Sequence, residues 1–296
     1  MRQAYLEIGN KCHCKCHMCD AHKHPSEEVP VDVVLRRIQA LSSEGFNHIR
    51  LTGREPMAHP DFDKILNYME ANNVDIDITT TLLTPDMKLV ERLSGISRIR
   101  VSLFALYDNH SYFYNCSPKK WQIFMSNIKR LSILRDDVIK FTYTLTEKLG
   151  RPNYSMHAAH DLIKFVRESG ISKYRFEFFP DFKYINGIPK KEKKQMDSFF
   201  RQIDGYVKHK SYDIETKNIR TCSVPHHRLY VKNNGDVYPC CNAGGELGQS
   251  LPEEVLLGNI DTHQIEGMSN SVITGLDNPI CNNCTKKFYQ LIGDQA

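Results

Sequence analysis

Between Ala4 and Phe179, short apolar runs of strand length alternate with amphipathic stretches of helical spacing, and this rhythm constrains the fold more than any other feature. Strands are expected over 4–8, 48–51, 74–80, 99–103, 139–145 and 174–179, and helices over 31–43, 61–71, 85–93, 121–134 and 156–169. The first helix shows the signal plainly: Val34, Leu35, Ile38 and Leu41 recur at helical spacing after Pro30. Each unit has the roughly 30 residues that a parallel βαβ crossover requires. The expected class is therefore α/β, a parallel sheet with helices outside it. Six strands are too few to close the eight-stranded barrel, so a partial (β/α)6 barrel is expected, with its chemistry at the carboxyl ends of the strands.

After Pro180 the rhythm stops. Residues 181–220 read as a polar connector with one amphipathic helix over 195–207. From Thr221 the pattern becomes a hairpin, Arg228 to Lys232 and Val237-Tyr238, turned by Asn233-Asn234-Gly235-Asp236, where Asn-Gly supplies positive φ. The expected organisation is a core over 1–180, a connector over 181–220 and a small C-terminal domain of hairpin and helix over 221–296.

The formal net charge of +4 gives no concentrated basic stripe for nucleic acid. The densest run, Lys190-Lys191-Glu192-Lys193-Lys194, is broken by a carboxylate and reads as a solvated helix start. No apolar stretch approaches the roughly 20 residues that span a bilayer, and no secretory signal is present, so a cytoplasmic protein without membrane or nucleic-acid partners is expected. Ten cysteines in a reducing compartment point to metal rather than disulfides.

Cys12, Cys16 and Cys19 stand in a Cys-x3-Cys-x2-Cys spacing directly after the first strand, on the functional rim. Three thiolates on so short a loop close around one centre at little entropic cost, and they read as the nest of an iron–sulfur cluster. With three cysteines a four-iron cluster keeps one iron open to a small molecule. Cys14 lies one residue from Cys12 and from Cys16, too cramped for simultaneous chelation, and is read as a bystander. A Cys3His zinc site using His13 or His17 is the alternative. Leu51-Thr52-Gly53-Arg54-Glu55-Pro56 ends the second strand and presents backbone carbonyls and a carboxylate one βα unit away.

On these residues the chain resembles the radical S-adenosylmethionine (SAM) enzymes. Cys12, Cys16 and Cys19 match the family's cysteine signature, and Thr52 to Pro56 stand where its Gly-Gly-Glu-Pro motif is expected. The resemblance implies a [4Fe–4S] cluster whose open iron chelates SAM, and reductive cleavage of SAM to a 5′-deoxyadenosyl radical that abstracts a hydrogen atom. It also implies cofactor contacts from Met18, Gly53, Glu55, Thr80 and Ser102. Two departures stand out. Thr79-Thr80-Thr81 replaces the commoner Thr-Asn-Gly, and Arg54 replaces the second glycine, where it would clamp SAM's carboxylate, meet an anionic substrate or point to solvent.

The later cysteines Cys222, Cys240, Cys281 and Cys284 form a tetrathiolate set, for which a structural zinc ribbon is the plain alternative. With Leu257-Gly258-Asn259-Ile260 between its halves, the set is similar to the auxiliary-cluster appendage of these enzymes in its shorter, one-cluster "twitch" form. The spacing is closest to 2-deoxy-scyllo-inosamine dehydrogenase, while the enzyme that rearranges GTP for the molybdenum cofactor has a different, three-cysteine pattern. Cys241 and Cys116 are candidate hydrogen-atom donors, and Asp181, His226, His227 and Arg228 candidate substrate contacts.

The expected function is dehydrogenation or epimerisation of a small polar molecule, such as an aminocyclitol, aminoglycoside or sugar, with a flavodoxin- or ferredoxin-type reductant. Met1 lies so close to the first strand that no N-terminal domain is expected to grasp a leader peptide. Peptide modification is the alternative, and a non-catalytic metal-stabilised binding module is the reading from another class.

Overall fold

The structure is a computed structural model that describes residues 2–17, 19, 27–180, 188–211, 221–222, 228–239, 256–262, 265–269 and 273–274. They form two compact units, one of residues 1–11, 23–78 and the chain from 214 onward, the other of residues 12–22 and 79–213.

The first unit begins with β1 (Gln3–Glu7), α1 (Val31–Ser43), β2 (His48–Thr52), α2 (Phe62–Ala71) and β3 (Asp75–Thr80), whose last two residues belong to the second unit. β1 pairs in parallel with β2, and β2 with β3. Val34, Ile38 and Leu41 of α1 are buried, as their spacing predicts.

In the second unit follow α3 (Met87–Arg92), β4 (Arg98–Ser102), α4 (Asp108–Tyr114), α5 (Lys119–Leu134) and β5 (Ile139–Leu145). A two-residue ribbon of β6 (Glu147–Lys148) and β7 (Arg151–Pro152) leads to α6 (Met156–Glu168), β8 (Tyr174–Pro180), α7 (Lys190–Ile203) and β9 (His209–Ser211). β4, β5, β8 and β9 pair in parallel in that order. On β5, buried Ile139, Phe141, Tyr143 and Leu145 alternate with half-buried Lys140, Thr142 and Thr144. The buried row meets the helices through rings: Phe141 lies 5.6 Å from Phe165 of α6, and Phe178 of β8 lies 5.7 Å from Phe199 of α7.

The remaining elements return to the first unit: β10 (Thr221–Cys222), β11 (Arg228–Val231), β12 (Asp236–Tyr238), β13 (Gly258–Asn259), α8 (Ile265–Ser269) and β14 (Ile273–Thr274). β11 and β12 form the expected hairpin, with Gly235 at φ 89° in its turn. A Cβ on Gly235 would stand 2.6 Å from Oδ2 of Asp261, so a side chain there would displace that carboxylate as well as strain the turn. β11 also pairs in parallel with β1, so the hairpin extends the strand order to β13-β12-β11-β1-β2-β3. Buried Arg37 of α1 ties this turn down, donating to the Asp261 carboxylate and to the carbonyls of Lys232 and Asn233.

Three features depart from the sequence reading. The rhythm runs on after Pro180, because α7 begins at the basic run Lys190-Lys191 and leads into β9, which pairs with β8. The loop after β4 holds a helix, α4, between left-handed Tyr107 and Asn115. Cys222 pairs with Ile273 in a ribbon of β10 and β14. Among the described residues no helix is long and apolar enough to cross a membrane.

Candidate active site

In the first unit, the three residues ahead of the cysteine motif are held from two sides. Gly9 bridges Glu28, the Asn10 amide donates to the Glu27 carbonyl at 2.9 Å, and Lys11 pairs with Glu28 at 2.7 Å. On the other side lies the end of β2. Gly53 has φ 99°, and a Cβ there would stand 2.3 Å from the Gly9 carbonyl oxygen. Arg54 also takes positive φ, 56°, and its Nη1 donates to the Asn10 carbonyl at 2.6 Å. The Glu55 amide donates to the Lys11 carbonyl at 3.2 Å. Residues 53–55 therefore run closely beside residues 9–11. The buried Glu55 carboxylate accepts from the Met57 amide at 3.2 Å and caps the 3-10 turn Pro56–Ala58.

In the second unit, the loop from Cys12 docks at the carboxyl ends of β4 and β5. The Lys15 amide donates to the Tyr114 carbonyl at 3.2 Å, and His17 Nε2 lies 3.3 Å from the Thr146 hydroxyl just past β5. The Cys19 amide closes a turn onto the Cys16 carbonyl at 3.0 Å. Tyr114, fully buried, donates its hydroxyl proton to the Ser102 carbonyl at 2.9 Å and thereby fixes the loop's support to the end of β4. Sequence reasoning missed this anchor because α4 has only seven residues.

Cys12 and Cys19 are more accessible than Cys14 and Cys16, which are buried. The Cys14 thiol is held far above its ordinary range, first by its hydrogen bond to the Cys16 sulfur and then by burial. Burial, then the nearby Cys14, push Cys116 up to about 12. Cys116 is thus brought to Cys14, and both are thiols at neutral pH. Thr80 accepts from the Leu82 amide at 2.9 Å, and Asn127 of α5 holds the carbonyls of Leu82 and Thr84 at 3.0 and 2.7 Å. Met18, Asp181, His226, His227, Cys240, Cys241, Cys281 and Cys284 lie outside the described residues, and Arg228 opens β11 opposite Gln3.

The donor chemistry fits an iron–sulfur group better than one zinc ion. Three thiols share a loop fastened at both flanks. His17, one possible fourth ligand of a Cys3His zinc site, is instead engaged with the Thr146 hydroxyl.

The sequence model of the radical SAM superfamily matches residues 6–172. The chain belongs to the radical SAM superfamily. A second model, for an iron–sulfur cluster-binding domain (SPASM), matches residues 222–285. This radical SAM protein therefore takes a SAM-binding [4Fe–4S] cluster, SAM and auxiliary iron–sulfur binding. It is 28% identical over 116 residues to a probable GTP 3′,8-cyclase of Methanocella arvoryzae, covering 38% of this chain and 37% of that protein. It is 26% identical over 136 residues to a GTP 3′,8-cyclase of Clostridium botulinum, covering 43% of each. The match thus spans well under half the length of these curated relatives. Among solved structures it is similar to Streptococcus suis SuiB bound to precursor peptide SuiA, with TM-score 0.64 and 16% identity over 91% of this chain and 64% of that one. It is also similar to anSMEcpe with bound AdoMet and the Cp18Cys peptide, with TM-score 0.60, 14% identity and 91% and 80% coverage. At such identities the likeness concerns the fold, which is the expected partial (β/α)6 barrel.

Proposed function

We propose that this radical SAM protein abstracts a hydrogen atom from a small polar molecule, of aminocyclitol, aminoglycoside or sugar type, ending in dehydrogenation or epimerisation. The proposal places the core over 1–180, the connector over 181–220 and the auxiliary domain over 221–296. The observation that carries it is the double fastening around Cys12: residues 9–11 against 53–55 on one side of that residue, and the loop from Cys12 onto Tyr114 and Thr146 on the other. That fastening supports Cys12, Cys16 and Cys19 as the cluster ligands, with Cys14 held as a thiol against Cys16 and Cys116. When bound, the cluster and SAM supply the 5′-deoxyadenosyl radical.

The chain's own residues have separate tasks. Gly53 and Glu55, with Thr80 and Ser102, shape the surroundings of SAM, as Met18 does by its place in the motif. Arg54 sets the approach to Cys12. Cys222, Cys240, Cys281 and Cys284 would hold the auxiliary cluster, which would supply an electron acceptor for the dehydrogenation outcome. Cys116 or Cys241 returns a hydrogen atom in the epimerisation outcome. A reducing cytoplasm and a flavodoxin- or ferredoxin-type donor suit these thiols.

Anaerobic reconstitution with dithionite tests the reading: about eight irons per chain and 5′-deoxyadenosine are expected. Two zincs and no SAM cleavage would overturn it. In deuterated water, solvent deuterium at the reacting carbon without mass loss marks epimerisation, and loss of two hydrogens marks dehydrogenation. Peptide modification is the second reading, favoured by the likeness to two enzymes solved with peptides.

A further inference from the structure

Just past β5 the second unit carries a small protrusion that the proposed chemistry leaves unused. The ribbon of β6 and β7 turns through Leu149 and Gly150, which both take positive φ, 49° and 76°. A two-residue turn of this hand is ordinarily filled by Asn-Gly, because a larger apolar side chain is strained there. Here the strained position holds a leucine that is 87% exposed, more than any other large apolar residue described. The charges beside it are equally ill suited to a ribbon standing alone. Lys148 and Arg151 lie directly opposite each other in the register, and like charges so placed destabilise a sheet. Both rest over the Tyr112 ring, at 4.3 and 5.4 Å, and neither has a carboxylate partner among the described residues. Glu147, the ribbon's one carboxylate, is half-buried opposite Pro152.

The protrusion is held firmly, and it is held beside the cysteine motif. The Tyr112 hydroxyl donates to the Lys148 carbonyl at 3.1 Å, and the Lys148 ammonium donates to the Tyr112 carbonyl. At the base, buried Asn153 accepts from the Thr146 amide at 2.8 Å and donates to the carbonyls of Thr144 and Phe104 at 2.9 and 2.6 Å. The next two residues of α4 carry the cysteine loop: the Phe113 and Tyr114 carbonyls accept from the His17 and Lys15 amides at 3.4 and 3.2 Å. Thr146, directly before the ribbon, meets His17 as well. Leu149 thus stands three residues from a group that holds the loop, at most about 11 Å along the chain. Lys15 of the loop is exposed and has no carboxylate partner among the described residues.

We infer that this ribbon is the docking tip for an acidic one-electron carrier protein, with Leu149 as the apolar anchor and Lys15, Lys148 and Arg151 as its cationic surround. This rests on the radical SAM reading above, in which reductive cleavage of SAM takes one electron from outside the chain. Charge complementarity selects an acidic partner, and the place of the tip beside the cysteine motif selects an electron donor among acidic proteins. An apolar anchor ringed by cations suits a transient interface, in which the centre desolvates while the charges steer encounter. With a flavodoxin as carrier the balance is one electron: its hydroquinone becomes the semiquinone, the SAM-binding cluster is reduced by one, and no bond breaks.

The test is calorimetric titration of the anaerobically reconstituted full chain with a bacterial flavodoxin and, as second probe, a bacterial-type ferredoxin. The parent should bind at least one of them saturably, and more weakly as salt rises. Leu149→Asn suits the left-handed turn, so its melting temperature should equal or exceed the parent's, yet its affinity for the carrier should fall at least about tenfold. Arg151→Glu should weaken binding and flatten its salt dependence. Ile133→Asn, at an exposed position of α5, should bind as the parent does, and dithionite should reduce every variant at the parent's rate. Unchanged affinity in Leu149→Asn, equal loss in Ile133→Asn, or no saturable binding of either carrier overturns the inference. Slower dithionite reduction of Leu149→Asn overturns it by making the tip part of the cluster site. A parent dimer that Leu149→Asn dissolves while carrier binding persists overturns it in favour of self-association. Failure of the broader reading is seen separately, as absence of 5′-deoxyadenosine from the parent protein with SAM and dithionite.

Discussion

Arg54 donates from Nη1 to the carbonyl oxygen of Asn10 at 2.6 Å, across the gap between the end of β2 and the approach to Cys12. It does so from a left-handed backbone, φ 56°, which costs a non-glycine residue about 1 kcal/mol. Two substitutions separate these effects. Arg54→Ala keeps the strain and loses the charged hydrogen bond, so it should destabilise by about 1 to 2 kcal/mol. Arg54→Gly loses the same bond but relieves the strain, so its melting temperature should fall less. Both should lose iron faster to a chelator than the parent. Equal melting temperatures for all three proteins would remove Arg54 from this role.

Gly53 is the tighter constraint. Its φ of 99° disfavours any side chain, and a Cβ would sit 2.3 Å from the Gly9 carbonyl oxygen, well inside contact distance. Gly53→Ala should therefore push residues 9–11 away from 53–55, costing more than about 2 kcal/mol. Iron bound per chain should fall by about four while the auxiliary cluster remains. A variant that melts like the parent and binds full iron would show that this approach is looser than the geometry indicates.

Cys14 is hydrogen-bonded to Cys16 and Cys116 and kept as a thiol. If it is not a ligand, Cys14→Ala should bind as much iron as the parent, whereas Cys16→Ala should lose about four irons per chain. Its potential should nonetheless move, because hydrogen bonds to ligating sulfurs tune cluster potentials. An electron paramagnetic resonance titration of the SAM-binding cluster reads this directly. Iron loss in Cys14→Ala as large as in Cys16→Ala would make Cys14 a ligand.

The legible parts of the molecule were those with long periods or fixed turn chemistry. Val34, Ile38 and Leu41 announce α1, the alternation from Ile139 to Leu145 announces β5, and Asn234-Gly235 announces the hairpin. The Cys-x3-Cys-x2-Cys spacing identified the family without the fold. What stayed hidden was short or non-local. β9 has three residues, too few for a period of two to register against a polar background. α4 is rich in aromatic and histidine residues of weak helix propensity, and tertiary burial of Phe113 and Tyr114 decides it. The parallel pairing of β11 with β1 joins residues more than 220 positions apart, and no local signal encodes it.

His110 of α4 is fully buried, with neither ring nitrogen hydrogen-bonded among the described residues. It is stacked on Tyr114 at 4.2 Å and flanked by Trp121 and Phe124 at 5.3 and 6.1 Å. Burial among these rings pushes it down to about 4, from an ordinary 6.5. The folded protein therefore refuses a proton that the unfolded chain accepts below pH 6.5. Its contribution is fully present above that pH and is lost as pH falls toward about 4, amounting to up to about 3 kcal/mol across the window. His110→Phe keeps the ring and the stacking but removes two unpaired nitrogens and the titration. At pH 7 the variant should be more stable by about 1 to 2 kcal/mol, and its melting temperature should fall less than the parent's between pH 6.5 and 4.5. A parallel decline in both proteins would assign the acid sensitivity to other groups, with His209 next in line because burial lowers it too.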